Sequence, residues 1–308
     1  MEERIKYFLK DLGFDAVGIA SLTDFPPSPV KEKFLRWIRE GRFAGMEWMR
    51  TSTEVRLEPE RLLPGVASAI VVAMTYGRRR VNPRLKVSRY ATRRDYHRVF
   101  RKLLRKFVRW AKGNFGGRYF PFSDSAPVLE RELAVLSGLG WIGKSSMLIS
   151  PTLGPNVLLG GVLTDLLLVP DDPFPYDWCG RCDLCVRSCP TGAILEDRTV
   201  DANRCVSYWT IEYRGERFPE GVETHGWIFG CDVCTDVCPW SNRTPEMANP
   251  YLRAKEDRFA GLEAEDFLRM GEEEFRERFA GTPIMRAGPK GMRRNVLAAL
   301  KGAGRSSG

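Results

Sequence analysis

The chain has 308 residues, 43% hydrophobic and 28% charged, which is ordinary for a globular protein with room for a large core. No apolar run reaches the roughly 18 residues of a membrane helix, and the start, MEERIKYFLKDLGFDAVGIA, lacks a signal-peptide core, so a cytoplasmic protein with reduced thiols is expected. The net charge is +9, yet Arg78 to Lys112, with 15 Lys/Arg and one acid, Asp95, carries +14 and leaves −5 for the rest. Such a concentration reads either as a solvated basic face or as the footprint of a polyanion, and its size favours a nucleic acid.

In chain order, EERIKYFLKDLG reads as a helix stopped at Gly13, followed by a short strand, DAVGIA. KEKFLRWIRE, residues 31–40, reads as a second helix, and ASAIVVAMTY, Ala67 to Tyr76, as a buried strand. In DYHRVFRKLLRKFVRWAKGNF, Val99, Phe100, Leu103, Leu104, Phe107, Val108 and Trp110 fall at helical spacing opposite an Arg/Lys face. RYFPFSDSAPVLERELAVLSG reads as strand, loop and helix, capped by Ser123 or Ser125 with Pro127 in the first turn. NVLLGGVLTDLLLV reads as a buried strand pair or one long strand. The expectation is an α+β fold: an α/β-like unit over 1–170, a cysteine module over 171–242 entered through the proline-rich PDDPFPYDW, and a polar helical segment over 243–308.

All eight cysteines lie between Cys179 and Cys238, a clustering that points to metal. Cys179-x2-Cys182-x2-Cys185-x3-Cys189-Pro190 has the spacing of bacterial ferredoxins, in which three thiolates grip one cubane and the fourth crosses to a second. Cys231-x2-Cys234-x3-Cys238-Pro239 is the same motif without its first member, and Cys205 is the one thiol left to supply it. Cluster one then takes Cys179, Cys182, Cys185 and Cys238; cluster two takes Cys189, Cys205, Cys231 and Cys234. A pair of structural zinc sites is the alternative, and the Cys-Pro endings argue against it. The clusters fill only about 60 residues, so the larger region before them must receive the electrons.

GLGWIGKS, Gly138 to Ser145, matches both a P-loop and a dinucleotide fingerprint, but an amphipathic helix precedes it where either motif needs a strand. With only two histidines, His97 and His225, a Ser-His or zinc-histidine enzyme is not expected, and His97 reads as a surface or packing residue. Asp124, in FSDSAP, lies at a strand-to-helix loop and reads either as a helix cap or as a catalytic carboxylate.

SDSAPVLERELAVLSGLGWIGKSSMLI, CGRCDLCVRSCPTGAI, DANRCVSYWTIE and GCDVCTDVCPW, in that order, resemble epoxyqueuosine reductases over about residues 1–300. The resemblance implies an enzyme that uses two 4Fe-4S clusters and cobalamin to reduce epoxyqueuosine to queuosine at the wobble position of tRNA. Only the resemblance implies cobalamin, bound by the N-terminal region. It makes Asp124 the general acid; burial beside an apolar corrin would keep that carboxyl protonated. It places Arg131 near corrin and substrate, and Arg56, Lys144, Ser145 and Leu148 around the cobalamin. Thr210, Glu212, Asp232 and Val233, next to cluster-two cysteines, line its lower face. No protein ligand to cobalt is implied. Many relatives carry further C-terminal helical repeats, so the RNA grip is expected from the basic stretch, with Arg105 and Lys106, and from Lys290, Arg293 and Arg294. A monomer fed by an external low-potential donor is expected. The other readings are a dehalogenase-like reductase of a small molecule and a plain ferredoxin-type carrier.

Overall fold

A computed structural model describes residues 1–253 and 255–303. Its strands are β1 (Ala16–Ser21), β2 (Ser68–Thr75), β3 (Tyr119–Phe122), β4 (Trp141–Ile142), β5 (Leu148–Ile149) and β6 (Val157–Thr164). Four form an antiparallel sheet in the order β1-β2-β6-β3, while β4 and β5 make a separate two-stranded ribbon. NVLLGGVLTDLLLV therefore supplies one strand, not a pair.

Every residue of β2 is buried, because both edges are paired and both faces are covered. Alternation decides which core each side chain joins. Ile70, Val72 and Met74 face a cluster with the helices Glu2–Asp11 and Tyr96–Phe115, through Ile5, Leu9, Phe100, Leu104 and Phe107. Ala69, Val71 and Ala73 face the other way, toward Leu133 and Ala134 of the helix Glu130–Leu136. Small residues permit both approaches. A Cβ on Gly160 would stand 2.6 Å from Phe100, and one on Gly18 would stand 2.1 Å from the Ser137 carbonyl.

A third core joins Leu85, Val87 and Ala91 to Ile228, Phe229 and the C-terminal helices, through Phe259, Phe267, Phe275, Phe279, Met292 and Val296. The C-terminal segment thus shares its interior with residues 85–91 and with the chain just before the second cysteine run. The fold is α+β, as expected. No helix among the described residues is long and apolar enough to cross a membrane.

The Gly138–Ser145 stretch builds the β4–β5 ribbon and no phosphate loop. Gly140 adopts φ 153°, and a Cβ there would lie 2.1 Å from the Ile149 carbonyl, so the ribbon itself accounts for this glycine. Neither Ser123 nor Ser125 caps the following helix, which starts only at Glu130 with no side-chain cap. Ser123 instead donates to the Leu159 carbonyl at 3.5 Å, and the loop between is free to present Asp124.

Candidate functional site

All eight cysteines are free thiols at intermediate exposure. Their neighbours sort them into two sets. Cys238 is pushed up by burial and by the nearby thiols of Cys179, Cys185 and Cys182. Cys231 is pushed up to about 12 by burial, with Cys205, Asp232 and Cys189 adding to it. Burial also raises Cys205, whose thiol neighbour is Cys189, and raises Cys234, whose neighbours are Cys231, Cys205 and Cys185. The second run's last thiol therefore lies with the first run, and the first run's last thiol lies with the second. Crowded thiols resist ionisation, and bound iron offsets this by favouring the thiolate. Among the described residues no three His, Cys, Asp or Glu groups converge to single-ion spacing.

The two sets differ in surroundings. Around the first stand Trp141, Trp178 and Trp240, with the Trp141 Nε1–H 3.5 Å from Cys179 Sγ and Trp178 stacked on Trp240 at 5.2 Å. Trp178 is 44% exposed. The second is deeper: Cys205 begins the helix Val206–Ile211, which ends at Glu212, and Asp232 between its cysteines is buried.

Glu212 leads to the other half of the site. Its carboxylate holds Arg286 through both oxygens, at 2.7 and 3.2 Å, and the Arg286 guanidinium also lies 5.6 Å from the Trp48 ring and acts on Asp124. Asp124 has φ 54° in its loop, and its N–H donates to Glu130 Oε1 at 2.5 Å. Its side chain is 60% exposed, although neighbouring protein surrounds the carboxyl. Asp124 Oδ2 lies 3.0 Å from His97 Nε2, and His97 Nδ1 lies 2.9 Å from Asp95 Oδ1.

Burial does not act alone on Asp124. Burial does push its carboxyl up, but the His97 hydrogen bond and charge, the Tyr96 hydrogen bond and the Arg286 charge outweigh it and hold it below the usual range. His97, expected as a surface or packing residue, is 30% exposed and stacks on Tyr96, and it also joins Asp124 and Asp95. Burial would lower the ring, yet bonds to Asp124 and Asp95 hold it up to about 9. Glu130 is pushed up to about 8 by burial and by the Asp124 charge, despite Arg131 and Arg56 nearby. The charges of Asp124, Glu212 and Asp232 all act on Tyr90, which packs on Tyr96 and Phe229.

The family model for a 4Fe-4S double cluster binding domain matches residues 178–241, and the model described as epoxyqueuosine reductase QueG, DUF1730, matches residues 56–125. The epoxyqueuosine reductase of Gloeobacter violaceus is 37% identical over 320 residues, spanning 98% of this chain and 97% of that protein. The chain belongs to the epoxyqueuosine reductase family. The Escherichia coli member is also 37% identical, over 98% of this chain and 81% of its own length. Among solved structures, an epoxyqueuosine reductase with an epoxyqueuosine-modified tRNA-Tyr stem loop matches with a TM-score of 0.85 at 26% identity, covering 97% of this chain and 80% of that one. The Streptococcus thermophilus enzyme matches at 0.83 and 27%, with the same coverage.

The residues expected around the cofactor of an epoxyqueuosine reductase gather unevenly. Arg56 is buried beside Glu130, Asp124 and Arg131, donating to Ser52 Oγ at 3.1 Å and the Val128 carbonyl at 3.3 Å. Arg131 reaches the Ser146 carbonyl and hydroxyl, which brings it to the turn carrying Lys144 and Ser145. Leu148 and Thr210 are buried, the Thr210 hydroxyl bonding Val206 and Gly230. Asp232 binds Ser88, Arg89 and Arg80, which leaves its backbone and that of Val233 as available groups.

The residues expected to grip RNA divide as well. Arg105, Lys106, Lys290 and Arg293 are exposed. Arg294 is not: its guanidinium is buried, donating to the carbonyls of Tyr213 at 2.9 Å and Gly215 at 2.8 Å and stacking 4.6 Å from Phe218. Its role is to fasten the C-terminal helix. The sequence reading missed His97, Glu130 and Arg286, although the spacing Asp95-x-His97 one strand before Asp124 was the available signal for the first. A cavity of about 710 Å³ between residues 21–28 and 170–173 contains none of these groups.

Proposed function

We propose that this chain reduces epoxyqueuosine to queuosine in tRNA, holding two 4Fe-4S clusters on the thiol sets described above and cobalamin in the recess between Asp124 and the second set. Residues 1–170 form the cobalamin-binding catalytic region, 171–242 carry the clusters, and 243–308 contribute to the RNA surface. One arrangement carries the reading: Asp124 stands 3.0 Å from His97 and within the field of Arg286, which is held by Glu212 at the end of the helix that begins at Cys205.

The residues fit cobalamin. It would be held without calling on a histidine, since His97 is held by two carboxylates and His225 is an exposed turn residue. Arg56, Arg131, Lys144, Ser145 and Glu212 offer polar groups for its amide rim, while Leu148, Thr210, Asp232 and Val233 offer main chain. Bound cobalamin supplies a strongly reducing centre beside the epoxide. A cluster held by the first thiol set, on the side where Trp178 and Tyr176 are exposed, would take electrons from an external low-potential donor, and one held by the second set would hand them on. The protein acts as a monomer. Asp124 protonates the oxirane oxygen, which otherwise leaves as a costly alkoxide. The exposed Arg105, Lys106, Lys290 and Arg293 hold the RNA backbone.

The test is anaerobic turnover on epoxyqueuosine-containing tRNA, read as loss of one oxygen by mass spectrometry of nucleosides. Asp124→Asn should keep the cluster and corrinoid absorption and lose at least about 100-fold in rate. Undiminished turnover removes Asp124 as the acid; a wild-type protein that takes up no corrinoid ends the reading.

A further inference from the structure

We propose that His97 stores the proton that Asp124 delivers, in a relay Asp95–His97–Asp124 that reloads the acid within one turnover. The relay rests on the reading of Asp124 as the acid. Asp95 caps the helix Tyr96–Phe115: one oxygen accepts from the His97 N–H at 3.0 Å and meets His97 Nδ1 at 2.9 Å. The ring also stacks on Tyr96, with centroids 4.2 Å apart. Backbone cap, ring nitrogen and stacking together fix the imidazole, so Nε2 points at Asp124 Oδ2, 3.0 Å away. A ring between two carboxylates satisfies both only by donating from both nitrogens, which is the imidazolium form.

Stoichiometry gives that form a purpose. Removing the epoxide oxygen as water and leaving an alkene consumes two electrons and two protons. A lone carboxyl holds one proton. Once the recess is covered the His97 Nε2 proton moves to Asp124 Oδ2, and Asp124 gives it to the oxirane oxygen as a ring C–O bond breaks, with the electron pair going to oxygen. His97, left neutral with Nδ1–H on Asp95, regains a proton from water at its 30% exposed edge and passes it through Asp124 again as the remaining C–O bond breaks, the C=C bond forms and water leaves. Both electrons come from the external donor, one at a time, and end in that C=C bond.

The ring stands up to about 9 and the carboxyl below its usual range, so in the open recess the stored proton rests on His97. Around the pair stand Asp95, Tyr96 and Arg98 of the same helix, Glu130, Tyr90 and Arg286. Covering the recess removes water from a separated ion pair, which favours the neutral pair with the proton on Asp124.

The variant His97→Gln keeps an N–H toward Asp124 but has no proton to transfer. It is tested in the cofactor-loaded enzyme by single-turnover rates from pH 5 to 10, beside Asp124→Asn. A roughly tenfold or larger loss is expected at pH 8, shrinking below about pH 6 as solvent protonates Asp124, with tRNA affinity and iron content unchanged. A profile equal to wild type, or a loss equal at every pH, overturns the relay while an inactive Asp124→Asn leaves the acid standing. An active Asp124→Asn removes the acid and the relay together. A second readout needs no turnover: the chain has two histidines, so the His97 ring signal is identified by comparison with His225→Gln. It should titrate near 9 and fall toward 6.5 in Asp124→Asn. Titration near 6.5 in the wild type overturns the proposal.

Discussion

The two halves of the Arg78–Lys112 segment are equally basic and are used in opposite ways. In the first, Arg78 pairs with Glu246, Arg79 and Arg93 with Glu256, Arg84 with Glu263, and Arg80 and Arg89 with Asp232 and Asp236. These pairs tie the segment to the second cysteine run and to the C-terminal region. In the second half, Arg101, Lys102, Arg105, Lys106, Arg109 and Lys112 line the outer face of the helix Tyr96–Phe115, with no ion pair among the described residues. Positive charge is thus a fastener in one half and a free field in the other. The +14 of the sequence overstates the field, because acids far along the chain neutralise the first half.

Removing the shared acid should have the largest effect on stability. Asp232 is 2% exposed and accepts from Ser88 Oγ at 2.5 Å, the Arg89 N–H at 2.9 Å and Arg89 Nη1 at 3.2 Å. Asp232→Asn leaves Arg80 and Arg89 short of a counter-charge inside the fold, which costs about 3 kcal/mol. By the usual scaling the thermal midpoint should drop by roughly 5 °C, and the clusters should bleach faster in air. A midpoint within 1 °C of wild type would mean that the first half is not a fastener.

The crossing of neighbours between the two cysteine runs was expected from chain spacing; the deeper position of the second set needed the fold. The strands were legible too, as β2 is a run of apolar residues that suits no other element. Their order was not, since pairing β2 with β6 joins residues about 90 apart and local pattern carries no such information. The same distance hid the ion pairs, as with Arg93 and Glu256. It also hid the meaning of His97, whose neighbour Asp95 was visible but whose partner Asp124 lies across a strand and loop. Arg294 misled because it stands beside Arg293 in a basic tail. Met292, Asn295 and Val296, all buried, place it on the inner face of its helix.

Reversing Arg105 and Lys106 to Glu acts on the free half and should leave the thermal midpoint unchanged. If these residues touch phosphates, tRNA affinity falls about tenfold or more and the slope of log affinity against log salt flattens by about one to two. Affinity equal to wild type at all salt concentrations would turn the free half into a merely solvated face.

The smallest effect sharpens the contrast. Arg78 belongs to the first half but sits at its exposed edge, 50% open, 2.9 Å from a Glu246 that is itself 56% open. Water screens such a pair, and two long side chains lose freedom to form it, so Arg78→Ala should cost no more than about 0.5 kcal/mol. It should change tRNA affinity less than twofold, because Glu246 already cancels its charge. A loss as large as that of the Arg105 and Lys106 reversal would put the first half on the RNA as well. The fastening pairs would then open on binding, and the division between the halves would belong only to the RNA-free protein.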